Sequence, residues 1–304
     1  MKTPSRSKTN PNRDHRGEPR PARRPRAPAA ERPGVGTKPS DATSPAIGGP
    51  SAYLYGVVRW PLPWADSAAA VSASLGAGVG DPPAGITPIV YKDLAALVSR
   101  VHAASIGSGQ GVRGLRRDMR AHANVLNRLV ALGGTVLPAA FGLIFPRGEL
   151  LSERFLLPQY KSLAAHLARL DDAVEVTLKV ALAEDVAIRE AVAESPQLAR
   201  ATGRPAQSLD AKIELGKRVA EALRAKRRDE GRRVLNALSP VVRDVKLKES
   251  GADTVVINGS LLVSRRQLPA FDKTLAQVSR SERGRMQFDC VGPLPPYSFV
   301  DLRL

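Results

Sequence analysis

The sequence has little cysteine, few aromatic residues and no long apolar run. Cys290 is the single cysteine among 304 residues, which excludes an intramolecular disulfide and fits a reducing compartment. Aromatic residues make up only 4% of the chain. The longest apolar runs, such as residues 136–145, fall short of the roughly 20 residues that a membrane-spanning helix needs. The composition therefore predicts a cytoplasmic protein without a membrane span.

Acidic residues are also scarce, since 29 Asp and Glu stand against 46 Lys and Arg, for a formal net charge of +17. Residues 1–50 hold eleven of the basic and four of the acidic residues, ten prolines and almost no large apolar side chain. Such a segment cannot bury enough surface to offset its ordering entropy, so we expect a disordered tail. Three interpretations of this tail stay open: a solubilising segment, a non-specific arm for nucleic acid or an acidic partner, and a transit peptide.

From residue 51 onward, the sequence alternates between strand and helix patterns. In the first half, the patterns predict strands at 53–58, 86–91, 94–102 and 135–141, and helices at 66–75, with Asp66 as its N-cap, and at 113–132. In the second half, they predict strands at 173–180, 241–248, 254–264 and 286–291, and helices at 184–194, 208–238 and 268–281. A helix at 149–170, with an interruption at Pro158, links the two halves.

Both halves thus follow the order β-α-β-β-α-β, which is typical of a ferredoxin-like unit. The predicted fold class is α+β, with two ferredoxin-like domains joined by a helix and preceded by the basic tail. The expected boundaries are 1–50 for the tail, 51–148 for the N-terminal domain, 149–172 for the linking helix and 173–304 for the C-terminal domain.

The patterns expected of an enzyme are missing. The four histidines are widely separated and no Cys/His cluster has zinc-ligand spacing. The glycine-rich stretch 107–111 lacks the Lys and Ser/Thr of a phosphate-binding loop. No Ser-His-Asp set or carboxylate pair stands out, and helix–strand capping accounts for Asp171 and Asp172. The sequence therefore predicts a binding protein without catalytic residues, metal or cofactor.

Nucleic-acid binding is the alternative function, because ferredoxin-like sheets also build the common RNA-recognition module. That module stacks bases on aromatic residues of its central strands. The corresponding strands here, 174–180 and 254–263, contain none. The basic runs 224–228 and 232–233 are interpreted first as the solvated face of a long helix and second as a contact for a charged partner.

Three segments carry distinctive motifs: YLYGVV at 53–58, HANVLNRL at 122–129 followed by TVLPAAFGLIF at 135–145, and VGPLPPYSF at 291–299. Together they resemble the gas vesicle protein F/L family, and the resemblance spans residues 53–304. It implies an accessory protein of gas vesicle assembly, at the vesicle surface and in the cytoplasm. Such a protein binds the small apolar shell subunit, limits its aggregation and helps to nucleate or build the vesicle. Other accessory proteins are further candidate partners, and nucleic acid would bind only non-specifically through the tail.

The family motifs also supply the candidate partner-binding residues: Tyr53, Tyr55, Pro138, Phe141, Gly142, Gly292, Pro293, Pro295, Pro296, Tyr297 and Phe299. Gly292 and Pro293 are expected to end the last strand, because proline cannot donate to a ladder. Tyr297 and Phe299 are expected to alternate to one side of an extended segment. They would either seal the interface between domains or help to form a partner groove. Cys290 is expected in the core, because it shares a strand face with Met286 and Phe288.

Overall fold

The computed structural model describes residues 51–103, 106, 111–148, 150–203, 208–250 and 254–300. The predictions for the basic tail, for most of the glycine-rich stretch 107–111, and for Glu149 lie outside these residues. Within the described ranges, no helix combines the length and apolar character needed to cross a membrane.

The N-terminal sheet is built from the elements that the first half predicts, plus one short strand. The elements are β1 (Ser51–Arg59), α1 (Ala68–Leu75), β2 (Ile86–Tyr91), β3 (Leu94–Val101), α2 (Gly111–Ala131), β4 (Val136–Pro138) and β5 (Ile144–Phe145). The strand order is β2-β3-β1-β4, β5 also pairs with β1, and the pairings are antiparallel. The strand predicted at 135–141 is therefore shorter, because the chain turns after Pro138 and pairs with β1 again at β5.

The C-terminal sheet has the same strand order as the N-terminal sheet when the strands of each sheet are counted from its own first strand. Its elements are β6 (Ala173–Leu182), α4 (Glu184–Glu194), α5 (Pro196–Thr202), α6 (Leu209–Leu238), β7 (Asp244–Leu247), β8 (Val255–Ser264), α7 (Leu268–Ser281) and β9 (Met286–Leu294). The order is β7-β8-β6-β9, with antiparallel neighbours throughout. The fold is thus α+β with two antiparallel sheets.

The linking helix changes its winding without breaking. A π-helical turn at Ser152–Leu156 runs directly into α3 (Leu157–Arg169). Pro158 lies in the first turn of α3, directly after the π-helical turn, and has no N–H to donate to that turn. The predicted interruption at Pro158 is therefore a change of helix type.

Side-chain caps set the start of two helices. Ser67, and not Asp66, caps α1, because its hydroxyl accepts the hydrogen bond from Ala70 N at 3.3 Å. Ser208 caps α6 in the same way, accepting from Ala211 N at 3.1 Å. Each contact joins the cap to the third helical residue, which is the usual geometry of an N-cap. Sequence analysis placed the α1 cap one residue too early.

The two sheets differ in how their faces are covered. One face of the N-terminal sheet packs on α1 and α2, and the other packs on α3 and on Phe299 from the C-terminal segment. Eight of the nine residues of β1 are therefore buried. The C-terminal sheet packs one face on α4, α6 and α7, whereas its β7 residues are all exposed.

Arg265 joins the two halves of the chain. It follows β8, and its guanidinium donates to the backbone oxygens of Val130 at 2.6 Å and Gly134 at 2.7 Å. These oxygens lie at the C-terminal end of α2, where helical carbonyls lack partners within the helix and favour a cation. The C-terminal half thus completes a helix of the N-terminal half.

Candidate partner-binding surfaces

Four aromatic rings from β1, α2 and the segment after β4 meet in one buried cluster. Tyr53 and Tyr55 lie 5.1 Å apart between ring centroids, and His122 stacks on Tyr55 at 5.7 Å. Phe141 packs edge-on against His122 at 5.8 Å. The first two motifs therefore come together, but mainly in the interior, where Tyr53 and Tyr55 are fully buried.

His122 is neutral within this cluster. The Tyr53 hydroxyl lies 2.8 Å from His122 Nδ1, and Gly142 N donates to the same hydroxyl at 3.3 Å. Burial lowers the pKa of His122 to about 4, although the Ala139 carbonyl acts in the opposite direction. In the tautomer that carries its proton on Nε2, Nδ1 accepts this hydrogen bond from the Tyr53 hydroxyl. Burial also raises the pKa of Tyr53.

Tyr55 positions the loop between α1 and β2. Its hydroxyl accepts from Val79 N at 2.8 Å and lies 2.9 Å from the Ser99 hydroxyl, which itself donates to Gly85 O. Gly78 packs so closely here that an added Cβ would lie 2.3 Å from the Tyr55 hydroxyl oxygen. The motif tyrosines thus fix the fold around them, and their role in partner binding remains a prediction.

The C-terminal motif crosses the polar face of the C-terminal sheet. Glu175, in β6, accepts hydrogen bonds from the backbone N–H and the hydroxyl of Ser298. The Ser298 hydroxyl also lies 2.8 Å from that of Ser260 in β8. Strand alternation predicts that Glu175 faces solvent, but this segment covers it and leaves it 4% exposed.

Two predictions about this motif are wrong. Gly292 and Pro293 do not end the last strand, because β9 continues to Leu294, which pairs with Glu175 across a register shift. Tyr297 and Phe299 do not alternate along an extended segment, since both lie in a 3-10 turn. Phe299 enters the second core of the N-terminal sheet. Pro295 and Pro296 are buried, while Tyr297 is 42% exposed.

Residues of the candidate set therefore fall into two groups. The interior group is Tyr53, Tyr55, Pro138, Pro295, Pro296 and Phe299, with Phe141 half-buried. The exposed group is Gly142, Gly292, Pro293 and Tyr297. Of the exposed residues, Gly292 and Pro293 belong to β9, which forms one edge of the C-terminal sheet.

The edge strand β9 lies beside an apolar groove. β9 pairs with β6 on one side, and no strand among the described residues pairs with its other side. A groove of about 420 Å³ runs between β9 and α7. Its lining is mainly apolar and includes Val176, Leu268, Leu275, Phe288, Cys290 and Pro293, with Asp272 and Ser279 as polar members.

Cys290 is exposed in this groove, so its predicted place in the core is wrong. It does share a sheet face with Phe288 and Met286, because the three residues pair with Leu178, Val180 and Leu182. However, α7 stands off from β9 at this end and leaves the groove open over Cys290. Partial burial still raises the pKa of the thiol.

A network of charges joins α4, α6 and the turn before β9. Lys226 lies 2.5 Å from Glu194, 2.9 Å from Glu190 and 3.6 Å from Glu230. Arg285 pairs with Glu190, Glu230 and Glu282. Hydrogen bonds from Arg285 and then Lys226 lower the pKa of Glu190 to about 2, against the effect of its desolvation. The run 224–228 is therefore not wholly solvated, because Lys226 is buried.

Sequence patterns did not reveal these buried charges. Lys226 occurs in a basic run, and Asp118 directly follows two arginines, so both residues look solvent-facing. The signal for Lys226 is its i,i+4 spacing from Glu230, which places both charges on one face of α6. Among the described residues, no group of three or more His, Cys, Asp or Glu side chains could hold a metal ion.

Comparison with known proteins identifies the family. The sequence model described as "Gas vesicle synthesis protein GvpL/GvpF" matches residues 51–301. The chain belongs to the GvpL/GvpF family. This member is 32% identical to Gas vesicle protein F of Streptomyces sp. (strain CB03234) over 262 residues, which cover 83% of this chain and 100% of the relative. It therefore has a gas-vesicle-related role.

Solved GvpF structures share the fold of this GvpL/GvpF member. The crystal structure of GvpF from Anabaena sp. PCC7120 matches with a TM-score of 0.70 at 18% identity, covering 84% of this chain and 100% of that chain. GvpF from Microcystis aeruginosa matches with a TM-score of 0.64 at 20% identity, covering 83% and 99%. At these identities the likeness concerns the arrangement of the two antiparallel sheets and their helices.

Proposed function

We propose that this GvpL/GvpF member is a non-enzymatic assembly factor that binds the small apolar shell subunit of the gas vesicle. It limits aggregation of that subunit before the subunit joins the wall and so helps to nucleate or build the vesicle. The protein would act in the cytoplasm and at the vesicle surface. Besides family membership, the observation that carries the proposal is the open edge of β9 beside an apolar groove.

The two edges of the C-terminal sheet are protected to different degrees. β7 has four residues, of which Asp244 and Lys246 are charged. β9 has nine residues and a single charge, Asp289. Short edges and charged side chains are the usual means of preventing strand addition. β9 is longer and has proportionally fewer charges, so its residues before Pro293 form the better edge for an added strand.

The groove gives an added strand a place for its side chains. In strand addition, the backbone supplies hydrogen bonds and alternate side chains enter pockets that determine specificity. Residues of an added strand that point toward α7 would enter the groove over Cys290, whereas those on the other face would pass Val291, which is 58% exposed. An aggregation-prone, strand-forming apolar subunit matches both the edge and the groove.

The same strand order in both sheets supports a further part of the proposal. The N-terminal half follows β-α-β-β-α-β with β5 added, and the C-terminal half follows it with three helices, α4 to α6, between its first two strands. Each sheet has the order second, third, first and fourth strand. We therefore propose two ferredoxin-like domains, with boundaries at 51–148 and 173–304 and the linking helix at 149–172. On this scheme, the partner edge belongs to the C-terminal domain.

Light scattering of the refolding shell subunit tests the proposal. The full-length protein should suppress scattering, and the suppression should persist from low to moderate salt, because apolar burial and backbone pairing are weakly screened. Cys290→Glu places a charge in the groove and should reduce apparent affinity at least tenfold. Leu247→Glu is the matched control, because Leu247 lies on the same row of the sheet through Gly259 and Leu178, and is also exposed.

Three outcomes would count against this proposal in different ways. If the wild-type protein gives no protection, the shell-subunit function is wrong. If both variants protect like the wild type, β9 is not the site. If protection disappears at moderate salt, or the protein instead binds nucleic acid with the steep salt dependence of phosphate contacts, the basic-protein alternative is favoured.

A further inference from the structure

A second candidate surface lies in the N-terminal half, far from β9 in sequence. It is basic, whereas the groove beside β9 is mainly apolar. A cavity of about 510 Å³ opens between the start of α2 and the loop that follows α1. The loop contributes Gly78 and Pro83 to its wall. The helix contributes the four arginines Arg113, Arg116, Arg117 and Arg120.

These arginines form one stripe, because their spacing of three, four and seven residues places them on one face of α2. Arg117 is already paired, with Asp81 at 2.6 Å and with the buried Asp118 at 3.1 Å. Across the described parts of the chain, Arg113, Arg116 and Arg120 form no ion pair. Three guanidinium groups on the rim of one cavity therefore carry uncompensated positive charge.

The backbone of the loop is not available to an anion. Gly78 N donates to Ala84 O at 2.8 Å, Val79 N donates to the Tyr55 hydroxyl, and Gly80 N donates to Asp118 at 3.3 Å. A phosphate-binding loop instead presents free N–H groups to its ligand. No aromatic ring lines the described wall on which a nucleotide base could stack. The charged donors are thus the guanidinium groups of the arginines, and Asn124 adds a neutral amide.

We infer that this cavity binds a segment of a partner protein that carries several carboxylates. Guanidinium groups match carboxylates through paired hydrogen bonds. Arg113 and Arg120 are seven residues apart, which is about 10 Å along the helix axis. Carboxylates three residues apart on a segment in the polyproline II conformation lie on one face and about 9 Å apart.

This inference does not depend on the shell-subunit proposal, because the residues, the partner chemistry and the salt dependence all differ. Binding at β9 would tolerate moderate salt. Binding at the arginine stripe of α2 relies on exposed charges, so it should weaken as the ionic strength rises. The two surfaces would allow the protein to hold an apolar strand and an acidic segment at the same time.

The test uses the full-length protein and a fluorescently labelled peptide of nine residues with glutamate at every third position. Fluorescence anisotropy at low salt should show binding by the wild type. R113Q/R116Q/R120Q should bind at least tenfold more weakly. The matched control K217Q/R224Q/R228Q removes the same charge from one exposed stripe of α6 and should stay within twofold of the wild type.

A third variant separates guanidinium recognition from charge alone. R113K/R116K/R120K keeps the charge but loses the paired hydrogen bonds, so it should bind several-fold more weakly than the wild type. Thermal unfolding should show that all variants remain folded. The inference is wrong if the wild type does not bind the peptide, or if the α6 control loses as much affinity as the α2 variant. It is also wrong if inorganic triphosphate displaces the peptide at lower concentration than an unlabelled copy does, because the site would then prefer phosphate.

Discussion

The two carboxylate oxygens of Glu175 both bind Ser298, one through its backbone N–H and one through its hydroxyl, each at 2.8 Å. The residues are 123 positions apart, and this contact holds the C-terminal segment on the polar face of β6. The segment in turn places Phe299 in the core of the N-terminal sheet. Glu175 thus holds residues 297–299 in place together with Arg169, whose guanidinium donates to the Phe299 carbonyl.

Glu175→Ala should lower the free energy of unfolding. It removes both acceptors, so the Ser298 N–H loses its partner and the Ser298 hydroxyl keeps only Ser260, for which we expect a loss of about 1–3 kcal/mol. Urea denaturation, followed by tryptophan fluorescence, measures this change in the free energy of unfolding. Glu221→Ala, at an exposed position of α6, should change the free energy by less than about 0.5 kcal/mol. Equal effects of the two substitutions would show that the Glu175 contact contributes nothing specific.

His122 should make the protein less stable as the pH falls from about 6.5 to 4. Its pKa in the folded protein is about 4, below the value of about 6.5 expected in the unfolded chain. The unfolded chain therefore binds more protons in this window, and the free energy of unfolding should fall by up to about 3 kcal/mol by pH 4. At pH 7 and above, this contribution is fully present.

Urea denaturation at several pH values between 7.5 and 4.5 measures the effect. His122→Gln should be less stable than the wild type at pH 7.5, because the packing against Tyr55 changes, but its stability should depend less on pH. Tyr53 and Tyr55 face His122 and stay neutral in this window, since burial raises the pKa of both. Parallel pH profiles for the two proteins would contradict the assignment to His122.

Lys226→Met should destabilise the fold at pH 7. The substitution leaves Glu190, Glu194 and Glu230 without the ammonium group that they share. Breaking a buried ion pair costs about 3–5 kcal/mol, and because Glu194 is mostly exposed we expect about 2–3 kcal/mol here. Lys217→Met, at an exposed position on the same helix, is the matched control and should have little effect.

The cost of Lys226→Met should shrink toward pH 3. Hydrogen bonds from Arg285 and Lys226 keep the pKa of Glu190 at about 2 in the folded wild type, below its value in the unfolded chain. The stability that this pairing supplies is present above about pH 4.5 and is lost as the pH falls toward 2. A cost that is constant from pH 7 to pH 3 would mean that lost packing, rather than charge, explains the destabilisation.

Cys290 should react with a maleimide in the native protein, because it is exposed in the groove beside β9. Burial and the nearby Asp272 raise the pKa of its thiol, and the thiolate is the reactive form. The labelling rate should therefore keep rising with pH from 7 to 8.5, by about tenfold per unit. Labelling that occurs only in urea would show that the groove is closed in solution.

Much of the fold is predictable from periodicity alone. The limits of α4 and α7 agree with the patterns at 184–194 and 268–281, since each has a clear apolar period and a proline or charge boundary. The hairpin of β2 and β3 follows from two β-rich runs around Lys92 and Asp93. These signals are local, so tertiary contacts do not alter them.

The exposed and buried surfaces were harder to predict, because they depend on which element covers which face. Strand alternation places Cys290 on the same face as Phe288, but only the tilt of α7 decides whether that face is covered. Alternation likewise places Glu175 on a polar face, but a segment more than a hundred residues later buries it. In α6, the apolar pattern includes Leu209 and Ile213, which are exposed because the helix extends beyond the sheet that it covers.

The two hydrogen bonds from Arg265 to the end of α2 link the halves of the chain. Neither half is therefore easily replaced by the corresponding half of a relative. A chimaera that joined this N-terminal half to another member's C-terminal half would retain both sheets. However, without an arginine directly after the third strand of the second sheet, the Gly134 carbonyl would lose this donor and the Val130 carbonyl would keep only Gly133 N. A new C-terminal half would therefore need both this arginine and a side chain that fills the place of Phe299 in the N-terminal core.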